Sequence, residues 1–301
     1  MRVAFFGLPL AALLLGHDGH AIDLAVLSPF EAPGRRRLLR RLGPERVLEA
    51  AALGRRLDAA VDARLAELDP DLIVSWFWSR KLPARWLERG RLGAIGVHPS
   101  LLPRHRGPNP FFWAIDAGDA DTGVSVHRLT ERYDEGDVLA TERLAVGERD
   151  AWQLARALDR PSLAALRAVV AAFARGERPA AEPQDETLAT WAPEPEGALS
   201  RVDWSWPSER VLRRIRALSP VPGLALELCG QAFFVTRGEL AADYPAALLP
   251  GEAAALGSPP KDVVIRTGDA AIRVVRAILA DGAPLAPDAL AQLVASRTRA
   301  V

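Results

Sequence analysis

Short apolar blocks alternate with helical patterns through the first half of the chain. Residues 2–6, 22–27, 46–48, 71–76 and 94–97 are runs of strand length. The segments between them carry apolar residues at helical spacing, most clearly 55–68, which stops before Asp69-Pro70. This alternation predicts a mainly parallel sheet with helices on both faces, because a parallel return needs a helix-length crossover. Two more strand patterns follow at 123–129 and 138–146, then a long amphipathic helix over 152–175.

The first residues allow two readings. Residues 3–15 are almost wholly apolar behind Arg2, as in a secretory leader with Gly19-His20-Ala21 as its cleavage point. The run is too short to span a bilayer. A strand, a turn at Gly7 and an apolar helix explain the same residues and lead directly into the strand pattern at 22–27. The strand–turn–helix reading is preferred, which places the protein in the cytoplasm with no membrane partner.

In the second half the composition changes. Residues 176–200 are rich in Pro, Glu, Ala and Gln and read as an extended linker. A helix over 207–218 follows, with Ser205 as its N-cap and Pro207 near its first turn. Strand patterns at 224–228, 232–236, 263–266 and 271–278 are separated by the loops 257–260 and 281–284, and 287–296 is a closing helix. Short strands at regular spacing predict a small β-barrel. At 301 residues the chain exceeds what one core usually organises. The expected division is an N-terminal domain over 1–178, a linker over 179–203 and a C-terminal domain over 204–301.

Composition changes this picture little. Thirty-eight Lys and Arg balance 38 Asp and Glu, so the chain lacks the basic excess of a dedicated nucleic-acid binder. Two local clusters stand out: Arg35-Arg36-Arg37 with Arg40-Arg41, and Arg213, Arg214 and Arg216. Each reads either as a phosphate contact or as the solvated face of a helix. The single Cys229 excludes an intrachain disulfide and reads as a small buried hydrophobe. The five histidines show no metal-ligand spacing, and no metal is expected.

The chemistry concentrates in one stretch. Residues 93–107 read Gly-Ala-Ile-Gly-Val-His-Pro-Ser-Leu-Leu-Pro-Arg-His-Arg-Gly, a buried strand running into His98 and a proline-bounded loop. In an open α/β sheet the carboxyl ends of the strands face the ligand crevice. Downstream, Tyr133-Asp134-Glu135-Gly136-Asp137 makes an acidic turn before a strand. A carboxylate beside a histidine orients it and raises its pKa, which suits general acid–base work near neutral pH. On position alone His98 is as well read as a structural residue, and spacing does not bring it to Asp134.

The blocks His98-Pro99-Ser100-Leu101-Leu102-Pro103, with Arg106-Gly107, resemble the signature of the formyltransferases that use 10-formyltetrahydrofolate. Sugar-nucleotide formyltransferases and methionyl-tRNA formyltransferase are members. Asp69–Val74, Asp119–Val124 and Asp134 with Gly136 resemble the neighbouring blocks in the family's order, as do Pro183–Thr187 and Val202–Ser205 before the second domain. The resemblance implies a Rossmann-like, doubly wound, mainly parallel sheet followed by a smaller barrel of the oligonucleotide-binding type. It implies His98 as the acid–base residue and Asp134 as its partner and the holder of a relay water. It assigns Ser100, Leu101, Leu102, Pro103, Arg106 and Gly107 to the substrate loop. Trp76, Trp78, Arg80, Leu82, Val97, Tyr133, Glu135, Gly136 and Asp137 would line the site of the 10-formyltetrahydrofolate cosubstrate.

Three departures shape the expected function. The family carries an Asn two residues before the catalytic His, and its amide stabilises the oxyanion, whereas this chain has Gly96. Asn109 is then a candidate substitute donor, and the alternatives are a changed substrate or reaction, or a silent relative used in a biosynthetic pathway. His105 stands where many members have Tyr and reads as a partly exposed loop residue. The segment around Arg35–Arg41 is short beside the basic insertion of the tRNA-directed members, and Trp76–Arg80 and Val124–Arg128 are closer to the sugar-directed ones. The expectation is therefore formyl transfer to the primary amine of a small molecule, sugar nucleotide or natural-product precursor. Methionyl-tRNA is the alternative acceptor.

Overall fold

The computed structural model describes residues 1–298. They divide into two compact units. One comprises Met1–Pro108, Thr122–Leu144 and Ala157–Ala192, and the other Asn109–Asp121, Ala145–Arg156 and the chain from Pro193 onward.

The first unit is built on a seven-stranded sheet. Its strands are β1 (Arg2–Gly7), β2 (Ala21–Leu27), β3 (Val47–Glu49), β4 (Leu72–Trp76), β5 (Ala94–His98), β6 (Asp121–Arg128) and β7 (Val138–Ala145). The order is β3-β2-β1-β4-β5-β6-β7. The first five strands run parallel, and β6 lies antiparallel on β5. The order reverses between β1 and β4, which makes a topological switch point at their carboxyl ends. The helices of this unit are α1 (Pro9–His17), α2 (Arg35–Leu42), α3 (Ala50–Leu53), α4 (Leu57–Glu67), α5 (Ala84–Leu87) and the greater part of α7 (Ala151–Ala174), while α6 (Pro110–Asp116) belongs to the second unit.

The apolar opening of the chain is the centre of this sheet. Val3, Ala4, Phe5 and Phe6 are fully buried, and each such side chain contributes about 1.5–3 kcal/mol, alanine less. Phe6 stacks on Trp86 with centroids 5.5 Å apart and meets the edge of Trp78 at 5.7 Å. Gly7 ends β1 at φ +139°, and a Cβ there would lie 1.8 Å from the Trp76 carbonyl oxygen. Only glycine lets β1 and β4 end this close together. Pro9 then opens α1 in the first helical turn, where its missing N–H costs nothing. No helix among the described residues is long and apolar enough to cross a membrane.

The second unit carries α8 (Ser208–Ala217), β8 (Leu224–Leu228), β9 (Gln231–Leu240), β10 (Ala253–Leu256), β11 (Asp262–Arg266), β12 (Ala271–Ile278), β13 (Pro284–Leu285) and α9 (Pro287–Thr298). The strands form an antiparallel sheet in the order β10-β11-β12-β9-β8, with β13 paired to β12. The sheet curls into a half-barrel.

Several elements differ from the sequence reading for local reasons. α6 opens on aromatic residues, which are modest helix formers, and the pattern does not announce it. Its start is set by Asn109, whose side-chain oxygen accepts from Phe112 N at 3.2 Å, and by Pro110 in the first turn. β10 is Ala-Ala-Ala-Leu, a weak strand former that is extended by pairing with β11. Ser205 does not cap α8, because its N–H and hydroxyl both go to Asp203 Oδ1, at 2.9 and 2.7 Å. Cys229 is not buried. It sits half-exposed at φ 54° beside Gly230 at φ 78°, in the two-residue turn joining β8 to β9. Arg214 is no solvated charge either. It is buried in a two-point ion pair with Asp116, at 2.5 and 2.8 Å.

Candidate functional site

His98 is the last residue of β5, at the carboxyl edge of the parallel strands, and is buried. The loop after it is stapled to β6. Ser125 Oγ donates to the Ser100 carbonyl at 2.8 Å and accepts from Leu102 N at 3.1 Å. Ser100 Oγ donates to the Arg104 carbonyl at 2.6 Å, closing the turn that holds Leu101, Leu102 and Pro103. His105 then adopts φ 59° and presents its carbonyl oxygen 2.7 Å from His98 Nε2. A carbonyl only accepts, so His98 Nε2 carries the hydrogen and Nδ1 is left as a lone pair when the ring is neutral. His105 is buried, where the sequence suggested partial exposure, because a following segment covers it.

That covering segment is the first part of the stretch read as a linker. Glu182 and Val138 exchange two backbone hydrogen bonds of 2.9 Å. Thr190 Oγ1 accepts from His105 N at 2.8 Å, and the Thr190 carbonyl accepts from Arg106 N at 2.9 Å. Gln184 Nε2 donates to the carbonyls of Asp134 and Gly136, at 2.8 and 2.7 Å. Arg106 is buried and forks onto Glu186, with bonds of 2.9 and 2.8 Å, and onto Gln184 Oε1 at 3.1 and 2.8 Å. Glu186 raises the Arg106 pKa, and Arg106 lowers that of Glu186. Residues 182–192 thus form a strap that fixes both the His98 loop and the Asp134 turn.

Asp134 sits at φ 56°, and its Oδ2 accepts from Gly107 N at 2.9 Å. The same oxygen lies 3.5 Å from His98 Nδ1. The two residues singled out for acid–base chemistry are therefore neighbours. A third group joins them that the sequence reading did not select. His127 Nε2 lies 3.6 Å from Asp134 Oδ1, while its Nδ1 is 2.9 Å from the Arg128 carbonyl oxygen. The available signal was its place on the strand leading into the acidic turn. Burial pushes His127 from its ordinary 6.5 down to about 4, with Asp134 opposing that shift and His98 adding to it.

This has a consequence for acid stability. The unfolded chain takes up the His127 proton near pH 6.5, before the native state does near 4, so stability falls as pH drops across that window. The loss is of order 3–4 kcal/mol over the whole window, at about 1.4 kcal/mol per unit of pKa difference. His127→Gln is expected to flatten this slope, which urea unfolding at pH 7 and pH 4.5 measures. An unchanged slope would assign the titration to another group.

Gly96 pairs directly with His127 across β5 and β6. A Cβ at Gly96 would lie 2.7 Å from Leu129 Cδ2 and 3.5 Å from His127 Nε2. Leu129 therefore fills the space above Gly96. We expect Gly96→Asn alone to leave activity flat or lower it, because the amide must displace Leu129. The double change Gly96→Asn with Leu129→Ala frees the volume and is expected to raise turnover above the single variant by about tenfold or more, if a missing oxyanion donor limits the rate. Initial-rate kinetics on both variants decides this.

The remaining candidates are placed as follows. Trp76 is buried and donates to Ser162 Oγ at 3.0 Å. Trp78 is half-buried, and its indole N–H is buried without a hydrogen-bond partner. Arg80 is exposed and bonded to Asp58 at 2.9 Å. Leu82 belongs to the core with Trp86, and Val97 is half-buried on β5. Tyr133 is exposed, with Lys81 5.9 Å from its ring centroid, so the loops after β4 and β6 meet there. Glu135 pairs with Arg132 at 3.1 Å and approaches Arg106 at 3.9 Å. Gly136 is packed so that a Cβ would lie 2.0 Å from the Arg128 carbonyl oxygen. The Asp137 carbonyl accepts from Arg128 N at 2.9 Å. Asn109 belongs to the second unit, where its amide donates to Glu194 at 2.9 Å.

Comparison with known proteins identifies the family. The Formyl transferase family profile matches residues 4–169, and that of the Formyl transferase C-terminal domain matches 197–293. The chain belongs to the formyl transferase family. A methionyl-tRNA formyltransferase from Ralstonia nicotianae is 34% identical over 304 aligned positions, covering 92% of this chain and 90% of the relative. One from Acidiphilium cryptum is 36% identical over 286, covering 91% and 90%. Among solved structures, HypX from Aquifex aeolicus in complex with tetrahydrofolic acid superposes with a TM-score of 0.66 at 24% identity, over 96% of this chain and 46% of that one. An N-formyltransferase from Helicobacter canadensis, in complex with folinic acid and dTDP-3-aminofucose, gives 0.67 at 11% identity, over 91% and 98%. At these identities the two structures speak for the fold. As a formyltransferase the protein is an enzyme of one-carbon transfer.

Proposed function

We propose that this formyltransferase moves a formyl group from 10-formyltetrahydrofolate to the primary amine of a small molecule. The observation that carries this is the 3.5 Å approach of His98 Nδ1 to Asp134 Oδ2 at the carboxyl end of β5. The folate supplies a formyl carbon activated for attack by nitrogen. The protein's share is to hold the amine, accept its proton and exclude water. His98 offers the lone pair of Nδ1, fixed by the bond from Nε2 to the His105 carbonyl. Asp134 is fixed from behind by Gly107 and Gln184 and faces that ring. The unpaired indole N–H of Trp78 fits a heterocycle with ring acceptors, and the meeting of Lys81 with Tyr133 marks the loops that would hold it.

A second acceptor class has its own support. The relatives described above are methionyl-tRNA formyltransferases over nearly their whole length. Helix α2 also carries Arg36, Arg37 and Arg40 exposed, a cationic face suited to phosphates. The test is incubation of the purified protein with 10-formyltetrahydrofolate and either a panel of small primary amines or methionine-charged tRNA. Products are read by mass spectrometry. A formylated small amine supports the first reading. Formylation of charged tRNA alone, weakened steeply by salt and by neutralising Arg36, Arg37 and Arg40, would replace it with the second. No formylated product with any acceptor would refute formyl transfer to amines.

A further inference from the structure

Gly96 and His127 are direct cross-strand partners, so their side-chain positions share one face of the sheet. His98 lies two residues beyond Gly96 on the same strand and faces the same way. The imidazole of His127 therefore borders the space that any side chain at position 96 would take, with Nε2 3.5 Å from its Cβ site. The hydrogen-bond pattern fixes what that nitrogen offers. Nδ1 faces the Arg128 carbonyl oxygen at 2.9 Å and must carry the hydrogen, which leaves Nε2 as a lone pair. His98 is the mirror case, with Nε2 tied to the His105 carbonyl and Nδ1 free.

Both free nitrogens face the same carboxylate. His98 Nδ1 is 3.5 Å from Asp134 Oδ2, and His127 Nε2 is 3.6 Å from Asp134 Oδ1. Both distances exceed a hydrogen bond. Three groups that offer only lone pairs thus converge without a hydrogen among them to share. Such a set is complementary to a donor that brings several N–H bonds. It does not gather with the geometry of a metal site.

We infer that His127 Nε2, His98 Nδ1 and the Asp134 carboxylate form a cradle for the –NH3+ group of the acceptor, with His127 orienting the amine. The inference rests on the reading of the acceptor as a primary amine. The cradle's three groups match the three N–H bonds of an alkylammonium. One proton leaves through His98 Nδ1 to solvent and frees the nitrogen lone pair. That pair bonds to the formyl carbon of the donor as the carbon's bond to the donor nitrogen breaks. A second proton passes to the donor nitrogen, and the third stays on the amide formed. His127 holds an N–H throughout, so the lone pair points at the formyl carbon. Burial suits it to this task by keeping the ring uncharged near neutral pH.

The test is nitrogen NMR of full-length protein carrying 15N-labelled histidine, titrated with methylammonium. Tetramethylammonium, which has no N–H, is the control. The resonances of His127 Nε2 and His98 Nδ1 are expected to move together with methylammonium and to stay in place with the control. His127→Leu is expected to weaken methylammonium binding by about tenfold or more, as befits one lost hydrogen bond to a charged group. His127→Gln, which keeps a polar atom near the place of Nε2, is expected to restore it to within about threefold of wild type. Movement of the His98 resonance alone would overturn the role of His127 and leave the amine reading intact. No movement at either ring, or equal movement with tetramethylammonium, would overturn the cradle. Calorimetric titration of the same sample with a stable folate analogue reports separately on the donor, so failure of the folate reading is not confused with failure of the cradle.

Discussion

His98→Ala is expected to lower formyl transfer by about two to four orders of magnitude, the usual worth of a positioned general base. The fold is expected to survive. The substitution removes one hydrogen bond, from Nε2 to the His105 carbonyl, worth about 1 kcal/mol net. The loop keeps its staples through Ser125, Ser100 and Thr190. The loss should fall on kcat, with the Michaelis constant for the donor little changed, since in the proposed reaction His98 acts on the amine. Asp134→Asn should lose activity on the same scale, while its side-chain oxygen still accepts from Gly107 N. Circular dichroism and a thermal melt establish that each variant is folded. Turnover by His98→Ala within about tenfold of wild type would remove His98 from the chemistry, well below the loss such a base accounts for.

Arg214→Met is expected to destabilise the second unit by about 3–5 kcal/mol, because it strands a buried carboxylate. Arg214 and Asp116 are both buried and meet through two hydrogen bonds. A further guanidinium N–H group reaches the carbonyls of Leu199 and Arg201, at 2.7 and 2.5 Å. Methionine matches the stem of arginine and satisfies none of these acceptors. Replacing both partners, Arg214→Met with Asp116→Leu, removes the stranded charge and should recover much of the loss. Urea unfolding followed by tryptophan fluorescence measures both. If the single variant lost less than about 1 kcal/mol, the pair would be energetically idle, as exposed pairs often are.

His98 and Arg214 differ in how far the local sequence announces them. His98 and Asp134 were recognisable because each lies in a short run that resembles a block of the formyltransferase family; strand position alone left His98 equally well read as structural. The strands of the first unit were legible for a related reason. Runs such as Val3–Phe6 and Leu72–Val74 are apolar on every residue, the mark of strands buried on both faces. β10, β13 and α6 were not legible, because short segments of weak propensity take their conformation from their neighbours. Arg214 looked like one of three basic residues on a helix. Nothing in its local sequence separates it from Arg213 or Arg216, and burial alone does.

Local pattern, then, determined the α/β alternation, the family and the two residues proposed for the chemistry, since each is written in short runs of consecutive positions. Tertiary structure alone decided that His127 stands opposite Gly96. It alone decided that Leu129 fills the vacated volume and that residues 182–192 close over His105 and Arg106. These relations join residues up to 85 positions apart. They follow from strand register and packing, which no short stretch of chain encodes by itself.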